Sequence, residues 1–213
     1  MGMDFLASTY FFDYESAAVQ NLIAEFRDES LSALEKAKGL YVKVRDGWRY
    51  NPYHINLDES GFRASVLIDR EDGHCIEKAI ILIAGLRALG IPARLRLAKV
   101  TNHIAVERLT EKFGSNVLTP HGMVDVFLNG KWVKATPAFN KELCEKCRVA
   151  PLEFDGESDS VFQSYNNDGS RFMEYIEDYG YFDDVPIGFM KKNLQDNYPD
   201  VFDFENGIVA YKF

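Results

Sequence analysis

The sequence predicts a mixed fold in which a buried α-helix packs with antiparallel β-strands, and three observations carry that prediction. Residues 71–92, EDGHCIEKAIILIAGLRALGIP, place Ala79, Leu82, Ile83, Leu86 and Leu89 at three- and four-residue spacing. Ile76, Ile80, Ile81 and Ala84 extend the apolar surface around most of the circumference, which marks a central helix. Residues 121–136 read as two β-runs joined by Asn129-Gly130, the preferred dipeptide of a type I′ hairpin turn. A chain of 213 residues is long enough for one hydrophobic centre and short enough for one domain.

In chain order, 17–27 and 31–45 carry helical patterns, the first with Leu22, Ile23 and Phe26 on one face. The second has Leu34, Leu40, Tyr41 and Val44, interrupted at Gly39. Gly47, Trp48 and Tyr50 lead into the turn-prone Asn51-Pro52, residues 56–63 are a polar loop, and 64–69 is a short approach to the central helix. Asp72 is the expected side-chain cap of that helix, which sets Cys75 in the first turn. Gly90 and Pro92 stop it. Residues 94–100 alternate basic and apolar, hence a strand with one exposed face, and a charged connection runs to Phe113. In the hairpin, Leu128 opposes Lys131, and facing residue numbers keep the same sum along the ladder. Met123 then meets Thr136, and His121 meets Ala138 if pairing reaches that far. His121 and Thr136 fall on one face as diagonal neighbours, roughly 7 Å apart, opposite Val124, Val126, Leu128, Val133 and Ala135. After Asn140 the chain turns acidic, polar and aromatic. An irregular tail is expected there, with Phe172, Tyr175, Tyr179, Tyr181 and Phe182 packing over the core or lining a cleft.

A net charge of −9 and a pI near 5.0 argue against nucleic-acid binding and suit neutral or cationic substrates. No apolar segment is long enough to span a bilayer, and MGMDFLASTYFF lacks the basic start of a secretory leader. An odd count of three cysteines fits a reducing compartment, so a cytoplasmic protein is expected, with no membrane association and an oligomeric state left open. Cys144-Glu145-Lys146-Cys147 is a CxxC without a second cysteine pair or a nearby histidine. No metal, redox or nucleotide cofactor is therefore expected.

Chemistry is sought at Cys75. Free N–H groups and the positive end of a helix dipole favour a thiolate, and Gly73 with His74 gives the thiol a narrow polar approach. A cysteine nucleophile needs a base and an element that orients the base. His121, at the start of a strand, is the candidate base. His54, His74 and His103 are rivals in turn, adjacent and strand-end positions. Asp125 shares the face of His121 but lies about 13 Å along the strand, too far to orient it. Thr136, and after it Asn140, remain as orienters.

The segments GHCIEKAIILIAGLRALGIPARL, HGMVDVFLNGKWVKATP and LYVKVRDGWRYN together resemble the transglutaminase-like superfamily over roughly residues 34–140. The resemblance implies a papain-like α+β core, its cysteine-bearing central helix packed against an antiparallel sheet. It maps Cys75 onto the nucleophile and His121 onto the base. The aspartate-proline of the family's return strand is Thr136-Pro137 here. Residues 1–140 are then the catalytic core, including the N-terminal helices, and 141–213 an extension packed on it and not an independent domain. Trp48, Tyr50 and His74 are the expected substrate contacts. The implied function is cysteine-dependent acyl chemistry on an amide of a peptide or protein-like substrate, through a Cys75 acyl-enzyme. Peptidase, amidase or deamidase action is favoured over amine transfer. The alternative is a non-catalytic peptide- or protein-binding domain that keeps the fold.

Overall fold

Helix α4 (Cys75–Ala88) is the axis of the fold, with every residue from Cys75 to Arg87 buried, as its all-round apolar pattern requires. Ile80, Ile81, Leu82 and Ile83 are each 1% exposed or less, and each such side chain contributes about 1.5–3 kcal/mol by leaving water. The computed structural model describes residues 4–55, 58–162, 169–203 and 210–211.

On one side α4 is covered by α1 (Ala17–Leu22), α2 (Ala33–Gly47) and α3 (Ala64–Ile68). The expected first helix is shorter than its pattern, because α1 ends at Leu22 and the chain continues as a 3-10 turn, Ala24–Arg27. Ser32 and Glu35 cap α2 reciprocally: Glu35 N–H donates to Ser32 Oγ at 3.3 Å and Ser32 N–H donates to Glu35 Oε2 at 2.8 Å. Gly39 does not interrupt α2 as expected. It lies in mid-helix because a Cβ there would stand 2.6 Å from Cε1 of Phe26. Two strands of the entry to α4, β1 (Arg49–Tyr50) and β2 (Asp72–Gly73), pair in parallel. Of the expected loop at 56–63, Asn56 and Leu57 lie outside the described residues, and the remainder contains a 3-10 turn, Glu59–Phe62, that buries Phe62.

On the other side lies an antiparallel sheet in the order β5-β4-β3-β6, formed by β3 (Ala93–Asn102), β4 (Val117–Leu128), β5 (Lys131–Ala135) and β6 (Met173–Phe182). The α+β class with the cysteine helix on an antiparallel sheet is thus the one expected. The hairpin keeps its predicted register from Leu128↔Lys131 to Val124↔Ala135, with Asn129 and Gly130 at φ 51° and 81°, positive at both turn positions. The ladder stops there. The expected pairings of Met123 with Thr136 and of His121 with Ala138 do not form, and on the other edge of β5 Ser160 N–H donates to Lys134 O at 2.8 Å and Ser160 bridges Ala135. Leu95, Leu97, Val124, Val126 and Val133 form the buried face, while the outer face is not bare: the Arg94 guanidinium stands 3.5 Å from the Tyr181 ring centre and 4.1 Å from that of Trp132.

The connection before β4 contains an amphipathic helix, α5 (Val106–Phe113), which buries Leu109 and Phe113. The segment after Asn140 is more regular than expected. It contributes α6 (Lys141–Cys147), the sheet strand β6, α7 (Ile187–Asn197) against β4, and a short pair, β7 (Phe202–Asp203) with β8 (Ala210–Tyr211). Its residues 163–168 lie outside the described set. The acidic residues of β6 sit on its exposed positions, which is why its pattern reads as polar. No helix among the described residues is long and apolar enough to cross a membrane.

Candidate active site

The start of α4 is set by pairing as well as by capping. Because β2 is held extended against β1, with Arg49↔Asp72 and Tyr50↔Gly73, the chain cannot turn into a helix until His74. The expected cap Asp72 is therefore displaced by His74, whose Nδ1 accepts from Ile76 N–H at 3.3 Å. Glu77 completes the exchange by accepting His74 N–H at 2.9 Å, and Arg70 fixes Glu77 from behind at 2.7 Å. Asp72 instead accepts from Asn51 Nδ2 at 3.1 Å. Cys75 becomes the first helical residue, where its own N–H has no partner within the helix.

The thiol faces strand β4. Gly122 N–H donates to Cys75 Sγ at 3.3 Å, which seats the sulfur beside the backbone of the residue that follows His121. Only glycine fits at 122, since a Cβ would stand 2.7 Å from Ile76 Cα. The thiol is buried, and burial pushes its pKa up to about 11, against the opposing pull of the Gly122 and Ile76 N–H groups. The expected preference for a thiolate at a helix N-terminus is thus overridden: leaving water costs the charged form more than the N–H groups of Gly122, Ile76 and Cys75 return.

His121 is 1% exposed, and its ring lies 6.2 Å, centre to centre, from both Phe162 and Tyr175. Burial pushes its imidazole down to about 4, and neither ring nitrogen has a hydrogen-bond partner among the described residues. Thr136 is buried too, and its carbonyl accepts from Tyr41 Oη at 3.1 Å. Burial pushes the Tyr175 hydroxyl up to about 12, against the opposing pull of the Phe162 backbone and the Thr136 hydroxyl beside it. His121, Thr136 and Tyr175 thus bring polar atoms into an interior lined by Phe139, Phe162 and Phe172, whose rings contact one another. Tyr175 was legible in the sequence only as one aromatic of the tail. Its place beside His121 comes from the pairing of β6 with β3, Val100↔Tyr175.

The other candidates separate clearly. Asp125 accepts from Arg94 at 3.0 Å and Arg96 at 3.2 Å on the outer face, and Asn140 Oδ1 accepts from Tyr50 N–H at 3.0 Å, so each has another task. His103 faces Glu174 at 3.6 Å, and His54 is exposed. Tyr50 and His74 line a cleft with Cys75, and the buried Trp48 Nε1 has no partner among the described residues. Cys144 is buried and Cys147 half-buried in α6, with burial raising the pKa of both. Among the described residues no cluster of His, Cys, Asp and Glu is placed to hold a metal ion.

Sequence patterning gave no sign of Lys78, one turn after the thiol and fully buried. Its Nζ donates to Arg45 O at 2.7 Å and to Trp48 O and Ala138 O at 2.8 Å. Burial pushes its pKa down to about 7, yet three carbonyl acceptors match the three N–H bonds of an ammonium, and a neutral amine has only two. We therefore take Lys78 as charged. It ties the end of α2 and the chain beyond Thr136 to the cysteine helix.

A family model described as the transglutaminase-like superfamily matches residues 20–137, more than half of the chain. No curated protein matches. Among solved structures, one from Cytophaga hutchinsonii, provisionally named a cysteine protease, is similar at 16% identity with a TM-score of 0.45. The match covers 63% of this chain and 40% of that one, so the chain spans less than half the length of that structure.

Proposed function

Because the chain belongs to the transglutaminase-like superfamily, a family of cysteine-based catalysis, we propose that it is a cysteine hydrolase that cleaves amides of peptide or protein-like substrates through a Cys75 acyl-enzyme. The observation that carries this reading is the 3.3 Å contact of Cys75 Sγ with Gly122 N–H, which holds a helix-terminal thiol against the strand residue next to His121.

With the thiol raised to about 11 and the imidazole lowered to about 4, both groups rest neutral at pH 7. The thiol proton then passes to His121 as sulfur attacks, not before. The S–C bond forms, the carbonyl electrons move to oxygen, and the Cys75 N–H donates to that oxyanion. Collapse breaks the C–N bond, and His121 returns the proton to the leaving amine. Water then attacks the thioester and gives its proton to His121. The S–C bond breaks, the carboxylic acid departs, and the thiol is restored. Thr136 Oγ1 is the proposed acceptor for the imidazole N–H, a role without the charge an aspartate would bring. Residues 1–140 form the proposed catalytic core, with 141–213 as the extension that adds β6 and α7 to it.

Cys75→Ser is expected to abolish turnover and keep the fold, since a hydroxyl is a far weaker nucleophile at neutral pH. Mass spectrometry of peptide libraries with and without a primary amine reads the outcome. Cleavage or deamidation that survives in Cys75→Ser removes Cys75 from the mechanism, and dominant amine adducts would make the protein a transferase. A second reading, a peptide-binding domain without catalysis, is favoured by Thr136 in the aspartate's position and by the burial of both His121 and Thr136. Under it, wild type and Cys75→Ser bind the same peptides and neither turns them over.

A further inference from the structure

A second, larger cavity adjoins the cleft at Cys75. The cleft itself holds only about 50 Å3, so a bulky substrate residue has to be accommodated elsewhere. The second cavity holds about 240 Å3, and a cavity of about 150 Å3 already accepts benzene. Tyr50, Pro52 and Leu118 border both spaces, which makes them neighbours. Helix α5 supplies Arg108 and Leu109 to the larger one, α6 supplies Leu143 and Cys147, and the chain beyond β1 supplies Tyr53.

Most of these walls are aliphatic or aromatic, and the Tyr50 and Phe139 rings meet there at 4.8 Å between centres, so an apolar group gains by leaving water. Arg108 alone is charged among the described residues of the lining. It is exposed, and its guanidinium stands 4.8 Å from the Tyr53 ring centre. Tyr53 in turn stacks on Phe113 at 6.1 Å. Stacking holds a guanidinium by its flat face and leaves its N–H edges free to grip a carboxylate. Among the described residues no hydrogen bond or ion pair uses those N–H groups. Glu111, one turn further along α5, lies within electrostatic reach of the Tyr53 hydroxyl but does not line the cavity, and Glu107 is exposed.

Resting on the reading of Cys75 as the acyl-accepting nucleophile, we propose that this cavity is a substrate subsite for a peptide segment that pairs an aromatic or branched aliphatic residue with a neighbouring Asp or Glu. The apolar side chain fills the cavity, and the carboxylate of its neighbour meets Arg108 at the rim. Continuity fixes the place: a peptide whose amide lies at Cys75 passes Tyr50 and Leu118, and its flanking residues reach the larger space. Through α6, the segment after residue 140 takes part in recognition.

The test uses the full chain and acetylated, amidated peptides that share one frame and differ in a central pair, Phe-Glu, Phe-Gln or Ala-Glu. Binding to Cys75→Ser is read by fluorescence anisotropy. Cys147 is half-buried in the cavity wall and reports the place of binding: its alkylation by N-ethylmaleimide, resolved from that of Cys144 by peptide mapping, should slow when the cavity is filled. The Phe-Glu peptide is expected to bind about 3–10-fold more tightly than Phe-Gln, and about 10-fold or more above Ala-Glu. Arg108→Gln, at an exposed helix position, should level Phe-Glu with Phe-Gln. Equal affinity for those two peptides in the parent protein, or binding that leaves Cys147 alkylating at its free rate, would overturn the subsite. So would turnover by the protein with Cys75 intact whose kcat/KM ignores Arg108→Gln, and Cys75 would then stand as nucleophile without it. The expected ranking and Cys147 protection, with no product and no Cys75 adduct from any peptide, would keep the cavity as a peptide site and overturn the hydrolase reading instead.

Discussion

Replacing Gly122 with alanine tests the contact on which the site depends. The added Cβ would stand 2.7 Å from Ile76 Cα, 2.7 Å from Ile76 Cγ1 and 3.0 Å from Ile76 N. Two of these atoms are helix backbone and cannot rotate aside. Relieving the clash to ordinary contact near 3.4 Å means moving β4 from α4 by about 0.7 Å, which would stretch the 3.3 Å Gly122–Sγ hydrogen bond to about 4 Å. Overpacking of this kind costs about 1–3 kcal/mol, and each kcal/mol shifts the melting temperature of a chain this size by about 2–4 °C. A fall of about 2–12 °C in thermal unfolding is expected. The thiol also loses an N–H donor that favours its anion, so alkylation by iodoacetamide at a fixed pH should slow. Gly47→Ala is the control: nothing lies within 4 Å of a Cβ there, at the end of α2, so stability should hold or rise by about 0.4–1 kcal/mol. A Gly122→Ala protein that melts with wild type and alkylates at the same rate would refute the close approach of strand and helix. So would an equal loss in Gly47→Ala.

Three further expectations follow from burial. The alkylation rate of Cys75 should climb with pH towards a midpoint near 11, beyond the ordinary thiol value of about 8.5, and a plateau reached below pH 7 would mean a thiolate–imidazolium pair at rest. His121 titrates near 4 in the folded protein against an ordinary 6.5, so the unfolded chain gains its proton first as pH falls. Stability is intact above about 6.5 and falls by up to about 3 kcal/mol as pH drops towards 4, and urea unfolding of His121→Gln, which lacks this titration, should show a shallower acid limb. Lys78→Met keeps the length of the side chain but strands three buried carbonyls. A loss of about 3 kcal/mol or more is expected in denaturant unfolding, and a loss under 1 kcal/mol would show that water satisfies them.

The sequence by itself determined the elements whose cause is local. The apolar positions of α4 recur within one helical turn of each other, and the Asn129-Gly130 turn imposes positive φ on the spot, so the central helix and the hairpin register were legible as far as Val124↔Ala135. The segment around Cys75 and the strand that carries His121 could likewise be picked out from motif and order alone, although the strand starts earlier, at Val117. What the tertiary structure decided was which distant segment covers which group. His74 caps α4 because β1, more than twenty residues earlier, holds Asp72 extended. Residues 173–182, acidic and aromatic in pattern, became a sheet strand because β3 offered an edge, and that pairing set Tyr175 against His121. Lys78 reads as a surface cation until three carbonyls from two other segments are seen around it. The protonation states were decided the same way. A helix N-terminus favours a thiolate only while water or a countercharge is near, and it is the walls supplied by β4 and the later segments that take the water from Cys75 and His121 and leave both groups neutral.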